Sequence, residues 1–328
     1  MTMRGLLVQR LLLMIPTFFG VTLLTFGVLH LVPGDPLTAS SADMAAGPSR
    51  EQIEDFRRTM GLDEPLPVRY GKWLGRVATF DFGLSTYDHR PVSDKVGEAL
   101  PNTLLLSGLA LLFSYLLAVP LGVLSAVHRG RLLDRALSLG LFLAYSMPSY
   151  WVAVVLLLLL GGGRYFDLFP MQGLHSTDAS SLGALAWLGD LAWHLVLPVF
   201  VLTYASLASL SRYTRSSMVE ALRQDYVRTA RAKGLGEPAV VLRHALRNAL
   251  LPVVTLLGLS LPHLVGGSVI VEQVFGVPGM GRLGFQALAT RDYNTVMAVT
   301  TLAALLTMAG VLFSDLAQLA LDPRIRRS

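Results

Sequence analysis

Few residues in this sequence have the type and spacing for covalent chemistry. Gly279-Met280-Gly281-Arg282-Leu283-Gly284 has the G-x-G-x-x-G spacing, which brings backbone amides to a pyrophosphate when it joins a strand to a helix. Here it follows Pro278 and lies between two long uncharged runs, so a glycine-rich turn is the better reading and no dinucleotide is expected. There is no G-x-x-x-x-G-K-[ST] phosphate loop, no H-E-x-x-H and no G-x-S-x-G. The usual routes to ATP binding, metalloprotease and hydrolase chemistry are thus missing. With no cysteine, disulfides, thiolate metal sites and cysteine nucleophiles are excluded. No catalytic residue, metal or cofactor is expected.

Three histidines, His30, His194 and His263, fall in or near the uncharged runs. A polar side chain there is a functional candidate, but a lone one is explained as well by a hydrogen bond within the helix bundle. Proton-coupled carriers place carboxylates inside the bundle. Here Glu272 and Asp315 stand only at the ends of the fifth and sixth runs, which argues against a buried carboxylate relay.

The elements that carry these residues follow from where charge is missing. Of 328 residues, 53% are hydrophobic and only 15% charged, and the mean hydropathy is +0.55; a soluble domain carries about a quarter charged residues. Residues 11–34, 99–128, 136–163, 191–211, 248–271 and 293–314 contain no Asp, Glu, Lys or Arg. Each is long enough to cross about 30 Å of hydrocarbon as a helix. The fold class is therefore all-α, a polytopic membrane protein with six transmembrane helices. The uncharged stretch 11–34 exceeds the core of a signal peptide, and it is read as a retained first span. With both termini cytoplasmic, the inside segments hold sixteen Lys and Arg, and the two short outside loops hold only Arg164, Arg282 and Arg291. Positive-inside asymmetry thus places the N- and C-termini in the cytoplasm.

Residues 35–98 form a small outer helical cap. Ser49-Arg50-Glu51-Gln52 has capping-box spacing ahead of Ile53, Phe56 and Met60, which share one helical face until Gly61. A second short helix carries Trp73, Leu74 and Val77, and 81–85 and 90–92 read as turns. The cap is either a docking surface or a lid over the helix ends. The inside loop 212–247 reads as a continuation of the fourth span, a short helix ending near Lys233, a Gly234-Leu235-Gly236 corner, and a helix from Pro238 into the fifth span. Gly258, Ser260, Gly266, Gly267 and Ser268 in the fifth run permit close helix packing or a polar pore wall.

The loop's own sequence, Tyr226-Val227-Arg228-Thr229-Ala230-Arg231-Ala232-Lys233-Gly234-Leu235 and then His244-Ala245-Leu246-Arg247-Asn248-Ala249-Leu250-Leu251-Pro252, resembles the EAA loop of ABC importer membrane subunits. It looks like the version of the dipeptide/oligopeptide permease family, B-type subunit. The E-A-A-x-x-x-G core falls on Arg228-Thr229-Ala230 and Gly234, so two of the three opening residues depart from the general consensus. Two further stretches are similar to that family, in order: Leu29 to Pro36, and Glu272 to Gly281 followed by Arg291-Asp292-Tyr293.

The resemblance implies a type I ABC importer fold with a periplasmic insertion. The runs and loops divide the chain into 1–34 (N-terminal segment and first span), 35–98 (cap), 99–321 (five-helix core with the coupling loop) and 322–328 (cytoplasmic tail). The resemblance implies a bacterial inner-membrane location, a second homologous permease subunit, two ABC ATPase subunits and an outer substrate-binding protein; no nucleic-acid partner is expected. Tyr226, Arg228, Thr229, Ala230, Arg231, Ala232, Lys233, Gly234 and Leu235 become the ATPase-docking residues. The implied cargo is di- or oligopeptides, with nickel, glutathione or sugar as alternatives within the same kind of complex. A secondary carrier that works without an ATPase is the alternative from another class. Pore-lining residues are placed only loosely, in the third to sixth spans.

Overall fold

A computed structural model describes residues 3–31, 64–162, 165–260 and 263–321. The cap helix expected around Ile53 to Met60 and the tail 322–328 lie outside the described residues. The described elements are helical: α1 (Met3–Leu31), α2 (Leu66–Val77), α3 (Val92–Val127), α4 (Leu132–Ser146), α5 (Ser149–Leu160), α6 (Ala184–Ala221) and α7 (Asp225–Ala232). These are followed by α8 (Glu237–Ser260), α9 (His263–Gly266), α10 (Val269–Val274), α11 (Met280–Ala289) and α12 (Tyr293–Leu321).

Five of these helices, α1, α3, α6, α8 and α12, are long and apolar enough to cross a membrane, and α4 with α5 makes a sixth span only as a bent pair. The six-span expectation holds in number, but the third span is broken by 92°. Pro148 is the cause. Its ring disfavours helical backbone at the preceding residue, and Met147 is extended at φ −88°, ψ 127°. The fifth span also sits differently from its uncharged run 248–271: the helix spans Glu237–Ser260, and the rest of the run forms the short helices α9 and α10. The first eleven residues of α8 carry Arg243, His244 and Arg247, a charged extension of the span that an uncharged run cannot mark.

The centre of the bundle is the α3–α6 pair, whose seam follows from side-chain size. Ala110, Ser114, Ala118, Gly122 and Ala126 recur every four residues on the buried face of α3. Small residues at this spacing let two helix backbones approach, which is how helices associate where no hydrophobic effect drives them. A Cβ on Gly122 would lie 2.6 Å from the Thr214 Cβ and 2.7 Å from the Ser211 carbonyl oxygen on α6. Ser114 and Ser206 hydroxyls meet at 2.6 Å across the same seam. Gly258 plays a similar part between α8 and α12, where a Cβ would lie 3.0 Å from the Ser314 Cβ. Among the small residues noted in the fifth run, this one serves close packing.

At the end of α3 where it begins, Trp73 and Val77 of α2 bury with Phe26 and Leu29 of α1, Val92 and Val96 of α3, and Val296 to Ala298 of α12. The described part of the cap thus docks on helix ends instead of hanging free. Helix α3 itself begins at Val92, so cap and second span are one continuous element there.

Candidate functional site

The site is built on α7, the eight-residue helix Asp225–Ala232 between α6 and α8. Its sequence is amphipathic at helical spacing. Val227 and Ala230 are 0% and 4% exposed and sit in a core with Ala126 of α3, Met218 and Ala221 of α6, and Val240, Val241, Ala245 and Ala249 of α8. The opposite face exposes Tyr226, Arg228, Thr229, Arg231, Ala232 and Lys233. Asp225 in the first turn and Arg231 in the last complement the helix dipole.

The helix ends where the glycine requires. Gly234 has φ +79°, a left-handed conformation open to glycine at little cost. Its N–H donates to the Arg231 carbonyl at 2.9 Å, and the Leu235 N–H donates to the Ala230 carbonyl at 3.4 Å, the paired bonds of a Schellman stop. Arg231 then reaches across the corner with Nε donating to Glu237 Oε1 at 2.7 Å and Nη2 to Oε2 at 3.2 Å. That hydrogen bond to Glu237 holds the guanidinium above its ordinary pKa. Both partners are solvated, so the pair sets the angle between α7 and α8 more than it adds stability. Val240–Ala245, the part of α8 that packs on α7, is π-helical, a local widening frequent at functional sites.

Of the nine residues expected at this site, eight form one exposed face and corner, and Ala230 is turned into the chain's own core. Its small size is a packing requirement. Two supporting residues, Asp134 and Arg215, stand outside the nine. Asp134, 4% exposed at the start of α4, accepts from Arg215 Nε and Nη2 at 2.8 Å each and from the Gly130 N–H at 2.8 Å, with Ser125 Oγ as fourth donor. The signal available was a lone Asp in a basic turn.

At the opposite end of the bundle from α7, the second stretch of family resemblance proves structural. Glu272 is fully buried and accepts from Thr103 Oγ1 at 3.0 Å and the Arg282 N–H at 2.8 Å. Gly279 and Gly281 pack on this carboxylate, where a Cβ would lie 2.5 Å from Glu272 Cδ and 3.0 Å from Oε2. The two glycines therefore serve a carboxylate of the chain itself. Asp292, 1% exposed, accepts from Ser85 Oγ at 2.6 Å and the Thr86 N–H at 3.0 Å, which fixes the cap to the start of α12. A cavity of about 510 Å³ lies between these segments, lined by Arg90, Lys95, Glu98, Arg282 and Asp292 among others.

Two of the three histidines, His194 and His30, have local hydrogen-bond partners. His194 Nδ1 bonds the Asp190 carbonyl at 2.8 Å. His30 Nδ1 lies 2.7 Å from the Phe26 carbonyl and its Nε2 lies 2.7 Å from Arg69 Nη2; a guanidinium only donates, so Nε2 accepts and Nδ1 carries the proton. The His263 side chain lies outside what the structure describes.

Comparison with known proteins agrees with this architecture. Residues 118–327 match the family described as binding-protein-dependent transport system inner membrane component, and residues 3–107 match its N-terminal counterpart. The chain is 39% identical to the oligopeptide transport system permease protein AppB of Bacillus subtilis, over 98% of this chain and 99% of that protein. It is 37% identical to the dipeptide transport system permease protein DppB of Escherichia coli K12, over 98% of each. It is 38% identical to the di/tripeptide transport system permease protein DppB of Pseudomonas aeruginosa, over 99% of each. The chain belongs to the binding-protein-dependent transport system inner membrane components, the membrane-spanning permease subunits of ATP-binding-cassette importers.

Proposed function

We propose that this chain, paired with a second permease of similar fold, forms the path by which peptides enter the cytoplasm, and that α7 docks in a groove on a partner ATPase. The observation that carries this reading is the two-sidedness of α7. One face is welded by Val227 and Ala230 to the ends of α3, α6 and α8, and the other presents Tyr226, Arg228, Thr229 and Lys233 outward. Such a helix transmits a push as a rigid body. ATP binding closes the ATPase pair, the contact carries that closure into the bundle, and the population moves from inward-open to outward-open; hydrolysis in the ATPases resets it. The basic inside segments support an orientation with α7 in the cytoplasm, and the outer cap faces the substrate-binding protein. Peptide is the favoured cargo because the relatives named above are peptide permeases.

The experiment is purification of the complex from its native membrane. Co-purification with ATPase subunits, and peptide uptake into vesicles that requires both ATP and the binding protein, is expected. Peptide uptake by the chain in vesicles free of any ATPase would make it a secondary carrier and overturn this reading.

A further inference from the structure

Tyr204, in the middle of α6, donates its hydroxyl proton to the backbone carbonyl of Met147 at 3.0 Å. Met147 and Pro148 are the non-helical joint of the broken third span, where α4 turns by 92° into α5. The depth of this joint follows from α6. Arg215 near its inner end and Asp190 near its outer end bracket Tyr204, at roughly 16 Å and roughly 21 Å along the axis from the rise per residue. The joint therefore lies near the middle of the hydrocarbon layer.

Irregular backbone at that depth is tolerated where it is buried in protein or lines a water-filled cavity, and not where it faces lipid. Yet Tyr145, Met147, Tyr150 and Trp151 are 58%, 40%, 54% and 46% exposed, and Ser146 and Pro148 are exposed with them. The Tyr145 and Tyr150 hydroxyls have no hydrogen-bond partner among the described residues. A phenol left bare in hydrocarbon loses its hydrogen bonds to water without replacement. The surface calls for water, a polar guest or polar groups of the second permease.

We propose that the α4–α5 joint, with Tyr145, Ser146 and Tyr150, is this chain's wall of the translocation path at mid-membrane and touches the peptide in transit. Phenol hydroxyls donate to peptide carbonyls and accept from peptide amides, and the rings take apolar side chains without selecting one. No charged side chain stands between Arg135 and Gly163, so the wall does not sort peptides by charge. This rests on the importer reading above and adds to it where in the chain the cargo passes.

The lack of cysteine makes the test direct. Ser146→Cys, Tyr145→Cys and Tyr150→Cys are placed one at a time in the full complex, with Leu24→Cys, 71% exposed on α1, as the lipid-facing control. The probe is a charged, water-soluble methanethiosulfonate, which reacts with thiolate and therefore needs a hydrated thiol. Labelling at the joint at least about tenfold faster than at Leu24→Cys is expected, with a several-fold change in rate when ATP and vanadate trap the closed ATPases. Equal, slow labelling at all three joint positions, with cross-links to the second permease, makes the joint a subunit interface and overturns the proposal. Fast labelling indifferent to the trapped state makes it a static crevice and overturns it too. Each variant is also assayed for ATPase co-purification and ATP-dependent uptake. A failed joint with those intact leaves the importer reading standing.

Discussion

Arg215 grips Asp134 with both faces of the salt bridge formed, Nε to Oδ1 and Nη2 to Oδ2 at 2.8 Å each. The remaining acceptor positions of the carboxylate are filled by Gly130 N–H and Ser125 Oγ. One buried carboxylate thus ties the end of α3, the start of α4 and the lower part of α6, a few turns above α7.

Replacing Asp134 by Asn removes the charge and one acceptor face while keeping the shape. The loss is expected to be about 1–3 kcal/mol, because Arg215 and the Gly130 amide are left short of partners. The check is a lower melting temperature of the purified complex together with less peptide moved per ATP hydrolysed. Arg215→Lys, which keeps charge but not the fork, is expected to fall between.

Gly234→Val places a β-branched residue at φ +79°, at a strain of about 1–2 kcal/mol. Nothing lies within 4 Å of the added Cβ, so any effect is conformational. ATP-dependent uptake is expected to drop at unchanged amounts of chain in the membrane, and Gly234→Asn, which tolerates this backbone better, is expected to recover much of it.

The two faces of α7 predict opposite kinds of defect. Ala230→Phe overfills the core beneath the helix and costs about 1–3 kcal/mol, visible as reduced thermal stability of the isolated complex. Arg228→Glu, on the exposed face, is expected to leave stability unchanged and to weaken ATPase co-purification. A thermal scan beside a pull-down separates them.

Glu272→Ala leaves Thr103 Oγ1 and the Arg282 amide without their acceptor, and Gly279→Ala drives a methyl into Thr103 Oγ1 and Glu272 Cδ, 2.5 Å away in each case. Both are expected to lower the yield of folded protein from detergent, measured by size-exclusion chromatography, by more than Gly75→Ala, where a Cβ meets nothing within 4 Å.

What the sequence made legible was whatever depends on charge and on local backbone rules. Missing charge gave the number of spans but misplaced the fifth, and Gly234 marked the end of α7 and Pro238 the start of α8, because a left-handed stop favours glycine and a first helical turn accepts proline. The break at Pro148 was not readable from proline alone, because Pro120, Pro198 and Pro252 stand inside continuous helices, and an uncharged run conceals an interruption within it. The direction Ala230 faces was not readable from the loop alone; it depends on Met218, Val240 and Ala249 arriving from other helices. The same holds for Asp134 and Glu272, whose partners lie up to 169 positions away in the chain.

If the exposed face of α7 meets the ATPase, that face can be cross-linked to it. In the assembled complex, Arg228→Cys and Lys233→Cys, probed with a short thiol-to-amine cross-linker, are predicted to yield an adduct with an ATPase subunit, and Gln286→Cys on the outer helix α11 is predicted to yield none. Wild-type transport by the Arg228→Cys and Lys233→Cys complexes with no ATPase adduct from either position would contradict the account.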